Sequence, residues 1–183
     1  MTPLEIRSMA YKMAAKYALY MGAFLLIRFA VEVSMQQYMW LTIFYLVLSV
    51  FIPFYAYRLA KKFIQQTNEP TVSFSDFYTF TFFLFVFASL ILTIGQYVFY
   101  QYISPNYITD MHQSLLENLK LLAPQFPSFN TYQEILVNSP MPSSLQMATQ
   151  SIWMYSIAGI ILGLINAAIY RYLSKRNNTS EQN

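Results

Sequence analysis

Residues 17–34 read YALYMGAFLLIRFAVEVS. The run is close to the ~20 apolar residues that cross a bilayer, and it is the one run of that kind here that carries charges, Arg28 and Glu32. Three further runs follow over residues 38–57, 77–102 and 150–170, all uncharged. Together the four predict an all-α fold, a four-helix membrane bundle made by a single domain over residues 1–183.

The composition agrees. The chain is 56% hydrophobic, 19% aromatic and only 10% charged, whereas soluble domains carry about 25% charged residues. A small soluble core cannot hide such an excess, because small folds have too much surface for their volume, so lipid is expected to cover it. The net charge of +3 is then no nucleic-acid signature. With no cysteine there is no disulfide, thiol nucleophile or thiolate metal site. No A-x-A-like site follows the first run, so that helix is expected to be retained.

Ahead of the first run, Ile6, Met9, Ala10 and Met13 fall at helical spacing and predict a short interfacial lead-in. Pro53 removes the donor to the Ser49 carbonyl and crowds it, so the second span is expected to kink, as a hinge or as a tolerated membrane proline. Ser73 or Ser75 is the expected cap of the third span, with Asp76 favouring its positive end. Residues 103–144 form the one long polar segment, broken by Pro105, Pro124, Pro127, Pro140 and Pro142. Within it Ile108, Met111, Leu115, Leu119 and Leu122 make one amphipathic face, and Thr131 with Glu134 has the spacing of a capping box. Residues 171–183 read as a polar tail.

Of the eleven basic residues, all but Arg28 and Lys120 fall on one side of a four-span arrangement. The positive-inside rule therefore predicts both termini in the cytoplasm and the proline-broken segment outside it.

Arg28 and Glu32 share a helix face one turn apart. Arg28 stands about 9 Å from Ser34 at the usual ~1.5 Å rise, within reach of the interface by snorkelling. The pair is either an anchor for the first helix or a buried group for a substrate or lipid headgroup. Thr42 and Tyr45 on the second span (with Ser49 below them), Gln96 and Tyr100 on the third (with Ser89 and Thr93), and Tyr155 on the fourth supply polar groups. Counted from the outer ends, Arg28, Glu32, Thr42, Tyr45, Gln96, Tyr100 and Tyr155 form a candidate polar cluster; interhelical hydrogen bonding is the plainer use of the same residues.

Gly159, Gly163 and Ala167 recur at four-residue spacing with Asn166 beside them, and Ala14, Ala18 and Gly22 offer a matching stripe. Small residues let backbones approach and an Asn can bond across the contact, so packing of the first helix on the fourth is expected, with a homodimer seam as the alternative. His112, with Asp110 and Glu117 near it, is too sparse a set for a metal or a general base. No phosphate loop or serine triad is present. No catalytic residue, cofactor or metal is expected.

The order of the four spans, the small-residue helix AAKYALYMGAFLL, the VSFSDF that opens the third span and the proline-broken loop ending NSPMPSSL resemble one bacterial membrane family, domain of unknown function 4199. The likeness covers nearly the whole chain, with Ser75-Asp76-Phe77 a departure from the family's usual third-span start. It implies an integral protein of the Gram-negative inner membrane and no activity. The function expected is that of a non-enzymatic partner or stabilising subunit of an envelope complex. The alternative is a binder or transporter of lipid or a small anionic solute, using the cluster around Arg28.

Overall fold

The structure, a computed structural model, describes the backbone of residues 3–35, 37–67, 73–122 and 128–180, and within these the side chains of 5–35, 37–67, 73–122 and 132–172. The described elements are helices: α1 (Pro3–Ser34), α2 (Leu41–Thr67), α3 (Phe74–Val98) prolonged by a π-helical turn (Phe99–Ile103), α4 (Tyr107–Leu122), α5 (Ser128–Asn138) and α6 (Ser144–Ser180). Four of them are long and apolar enough to cross a membrane: Glu5–Ser34, Leu41–Thr67, Phe74–Ile103 and Ser144–Tyr172.

Helix ends depart from the expected bounds for local reasons. The lead-in is no separate element, because α1 is continuous from Pro3. Proline at a first helical position gives up only a donor that had no partner, and Glu5 in the first turn suits the dipole. At the next junction, Tyr38 to Trp40 make a turn instead of starting a helix; the Thr42 hydroxyl donates to the Met39 carbonyl at 2.7 Å. From Leu41, α2 runs ten residues past its expected end, since Arg58 to Thr67 contains neither Gly nor Pro. Pro53 lies inside this continuous helix.

Ser73 is the cap of α3. Its hydroxyl is 2.6 Å from the Asp76 carboxylate, which also accepts from the Ser73 amide at 3.1 Å, while the Asp76 amide donates to the Ser73 hydroxyl at 3.3 Å. This reciprocal capping box, with Asp in the usual place of Glu, starts the helix three residues before its apolar run. The same device opens α6: the Ser143 amide donates to Gln146 Oε1 at 2.9 Å and the Gln146 amide to Ser143 Oγ at 3.3 Å. It moves the start of the last span from residue 150 to Ser144. Downstream, the expected polar tail is helical to Ser180, since residues 171–180 contain no breaker; residues 181–183 lie outside the described residues. The expected cap at Thr131 is not one. Helix α5 begins at Ser128, so Thr131 sits inside its first turn, its side chain outside the described set. Pro124 and Pro127 also fall outside it.

The chain forms two compact units, Met1–Thr93 with Ser151–Asn183, and Ile94–Gln150. In the first, α3 is the hub. Of its apolar window 44% is buried, against 17% for α2. Phe77, Phe80, Leu84 and Phe85 are fully enclosed. Phe80 stacks on Phe63 of α2 with centroids 4.8 Å apart and meets Tyr17 of α1 edge-on at 6.1 Å. Phe77 stacks on Tyr170 of α6 at 5.2 Å. The opposite side of α2, including Ile43, Phe44, Val47, Val50, Phe51 and Phe54, is exposed and wholly apolar, as a lipid-facing surface must be.

In the second unit α4 and α5 pack together. The Tyr100 ring stacks on Tyr107 at 5.7 Å, the Ser144 hydroxyl donates to the Tyr100 carbonyl at 3.5 Å, and the Thr109 hydroxyl meets Met141 sulfur at 3.5 Å. An open apolar groove of about 460 Å³ runs between α4 and α5, lined by Leu115, Leu119, Tyr132, Ile135 and Leu136.

Candidate functional site

Arg28 is the most deeply buried of the basic residues described in the first unit, its side chain 13% exposed. Three helices supply its acceptors. Nε donates to Ser49 Oγ of α2 at 3.0 Å, one terminal nitrogen to Tyr155 Oη of α6 at 3.0 Å and to Glu32 of α1 at 3.5 Å, and the other terminal nitrogen to Tyr45 Oη of α2. The guanidinium carbon also stands 4.3 Å from the Tyr45 ring centroid, within cation–π range. Ser49 passes the bond on, its hydroxyl donating to the Tyr45 carbonyl at 2.7 Å.

Physically, this is a closed node. An arginine has five N–H donors, and four of them are directed to the chain's own oxygens. Glu32, 44% exposed, provides the countercharge at the long end of hydrogen-bond distance, and two phenols and a hydroxyl do the rest. An external anion at Arg28 would find one N–H left, and to gain a second it would have to displace partners already in place. The arrangement ties α1, α2 and α6 together, Arg28 lying toward the C-terminal end of α1 and Tyr45 and Tyr155 in the N-terminal halves of α2 and α6.

Of the seven residues expected in the polar cluster, Arg28, Glu32, Tyr45 and Tyr155 meet here. Thr42 does not: its hydroxyl is spent on the Met39 carbonyl of its own turn. Gln96 and Tyr100 belong to the second unit, where both are buried. Ser49, read as part of the α2 polar stripe but left out of the cluster on depth, is the Nε acceptor; its four-residue spacing from Tyr45 was the signal. On α3, Ser89 is buried but donates to the Val86 carbonyl of its own helix at 2.7 Å, the local bond such hydroxyls favour.

The small-residue stripes pack, though not on each other. A Cβ on Gly22 would lie 2.9 Å from Ile91, one on Gly159 would lie 2.9 Å from Phe85 Cβ, and one on Gly163 would lie 3.0 Å from the Tyr78 ring. Both stripes therefore face α3, whose bulky side chains need the space, and the expected pairing of the first helix with the last is replaced by separate contacts with α3. Ala14 and Ala18 are buried on α1 and Ala167 on α6. Asn166, 3% exposed, makes no cross-helix bond through its Nδ2, which is buried with no partner among the described residues. His112 is half-buried, and among the described residues no three His, Cys, Asp or Glu converge.

Fold and node together define an all-helical membrane protein with four candidate spans, cross-tied by one arginine. The chain matches the family described as "Protein of unknown function (DUF4199)" over residues 16–172, and it belongs to that family. No curated protein and no solved structure matches it.

Proposed function

We propose that this is a non-enzymatic multi-pass protein of a bacterial inner membrane, with both ends cytoplasmic, that serves as a partner or stabilising subunit of an envelope protein complex. The observation that carries the reading is the α4–α5 groove. Leu115, Tyr132 and Ile135 are 46%, 61% and 58% exposed there, in a segment that belongs to none of the four candidate spans. An open apolar groove outside the hydrocarbon suits the apolar face of a partner protein's helix. The closed node at Arg28 supports a scaffolding use of the spans, and the one-sided basic residues support the orientation.

The test is native mass spectrometry of the protein extracted gently from its own membranes. A second protein at fixed stoichiometry, lost in Leu119→Asp while the variant keeps its helical content, is the expected result. A second protein retained in full by that variant, or a bare chain from wild type, overturns the partner reading. The competing use of Arg28, holding an anionic lipid or solute, is separated in the same spectra: it requires Arg28→Ala to stay folded and lose a bound anion.

A further inference from the structure

A group of three cations stands away from Arg28, toward the other end of α1 and α2. Lys16 of α1 with Arg58 and Lys62 of α2 line a concave pocket of about 460 Å³, together with Tyr20 and Tyr55. Among the described residues no carboxylate lies on its wall. None of these three cations has an acidic partner among the described residues. Arg58 and Lys62 are four residues apart on one helix, a like-charge spacing that weakens a helix unless something neutralises it.

The level of the pocket is informative. At ~1.5 Å per residue, Arg58 and Lys62 lie about 26 and 32 Å beyond Leu41 along α2, and Lys16 about 27 Å from Ser34 along α1. The hydrocarbon of a bilayer is about 30 Å thick. Measured from the α1–α2 turn, the three cations therefore stand where headgroup phosphates begin. Tyrosines are the residues that suit this boundary, apolar in body and polar at the tip. Leu19 and Phe54, both exposed, continue the surface toward the apolar side. The volume is that of a small-ligand site, and an arginine flanked by lysines and phenols matches phosphate oxygens better than a lone carboxylate.

We propose that the α1–α2 pocket binds a phosphate-ester anion, with Lys16, Arg58 and Lys62 neutralising it and Tyr20 and Tyr55 placed at its rim. The site is independent of the partner reading, which uses α4 and α5. Its chemistry is shared by an anionic phospholipid headgroup and by a free phosphate ester.

The experiment is lipid titration of the detergent-purified full chain by native mass spectrometry. Phosphatidylglycerol is expected to bind at least about fivefold more tightly than phosphatidylethanolamine, and Arg58→Gln with Lys62→Gln to weaken phosphatidylglycerol on the order of tenfold. Lys61→Gln removes one positive charge from the same helix but off the pocket, against two in the double variant, and is expected to change binding less than about twofold. Equal affinity for the two lipids overturns the proposal. So does an equal loss in Lys61→Gln, the mark of diffuse surface charge. Lys16→Gln, on the other helix, repeats the test if the double variant fails to fold. Displacement of phosphatidylglycerol by millimolar glycerol phosphate names a free ester as the ligand; retention names the headgroup.

Discussion

Helices α1 and α2 hold cations near both ends, a single arginine at one and a group of three at the other, and the two clusters differ in one physical respect. At Arg28 the guanidinium is largely buried and the chain itself provides Ser49, Glu32, Tyr155 and Tyr45 as acceptors. At Lys16, Arg58 and Lys62 the cations are exposed around a pocket with no acidic residue on its wall among the described residues. A buried charge must bring its own partners, because desolvation without them is prohibitive. A charge at the water boundary need not, and so remains available. The first cluster is read as structure and the second as a site, by where their acceptors come from rather than by how many charges they hold.

Substitutions can break that contrast. The largest effect is expected from Arg28→Ala, which strands Glu32 and three hydroxyls: a loss of about 3 kcal/mol in detergent unfolding. An unmoved unfolding midpoint would show that the node is not structural. Next comes Gly159→Leu, about 2 kcal/mol through overpacking against Phe85, with phosphatidylglycerol affinity of the folded fraction unchanged; loss of binding in step with stability would mean that the pocket merely reports on folding. Tyr155→Phe removes one acceptor from Arg28 and should lower stability by about 1.5 kcal/mol, read from the same unfolding curves. Smallest is the pair Arg58→Gln and Lys62→Gln, within about 0.5 kcal/mol of wild type although lipid binding falls. A drop comparable to that of Arg28→Ala would erase the distinction between the two clusters.

Much of the fold is readable along the chain because a span of apolar residues has few alternatives in lipid. Each of the four expected runs lies within or overlaps a candidate span. The boundaries were less legible. Helix ends depend on a few hydrogen bonds, and the Ser143–Gln146 capping box starts the last span more than a turn before residue 150. The polar cluster was legible in part: helical spacing aligned Arg28 with Glu32 and Tyr45 with Ser49, but spacing within one helix says nothing about which faces meet. Along the chain the pocket cations mark orientation, and residues far apart in sequence show no concavity until the helices are paired.

Composition and hydropathy determined by themselves that this chain is an all-helical membrane protein with four candidate spans, because the cost of exposing backbone and charge to hydrocarbon depends on local sequence alone. Tertiary structure decided which small residues face which partner. Gly22 and Gly159 both make room for side chains of α3, and not for each other. It also decided which cations are already satisfied, since the acceptors of Arg28 come from positions 4, 17, 21 and 127 residues away, and only packing brings them to one guanidinium.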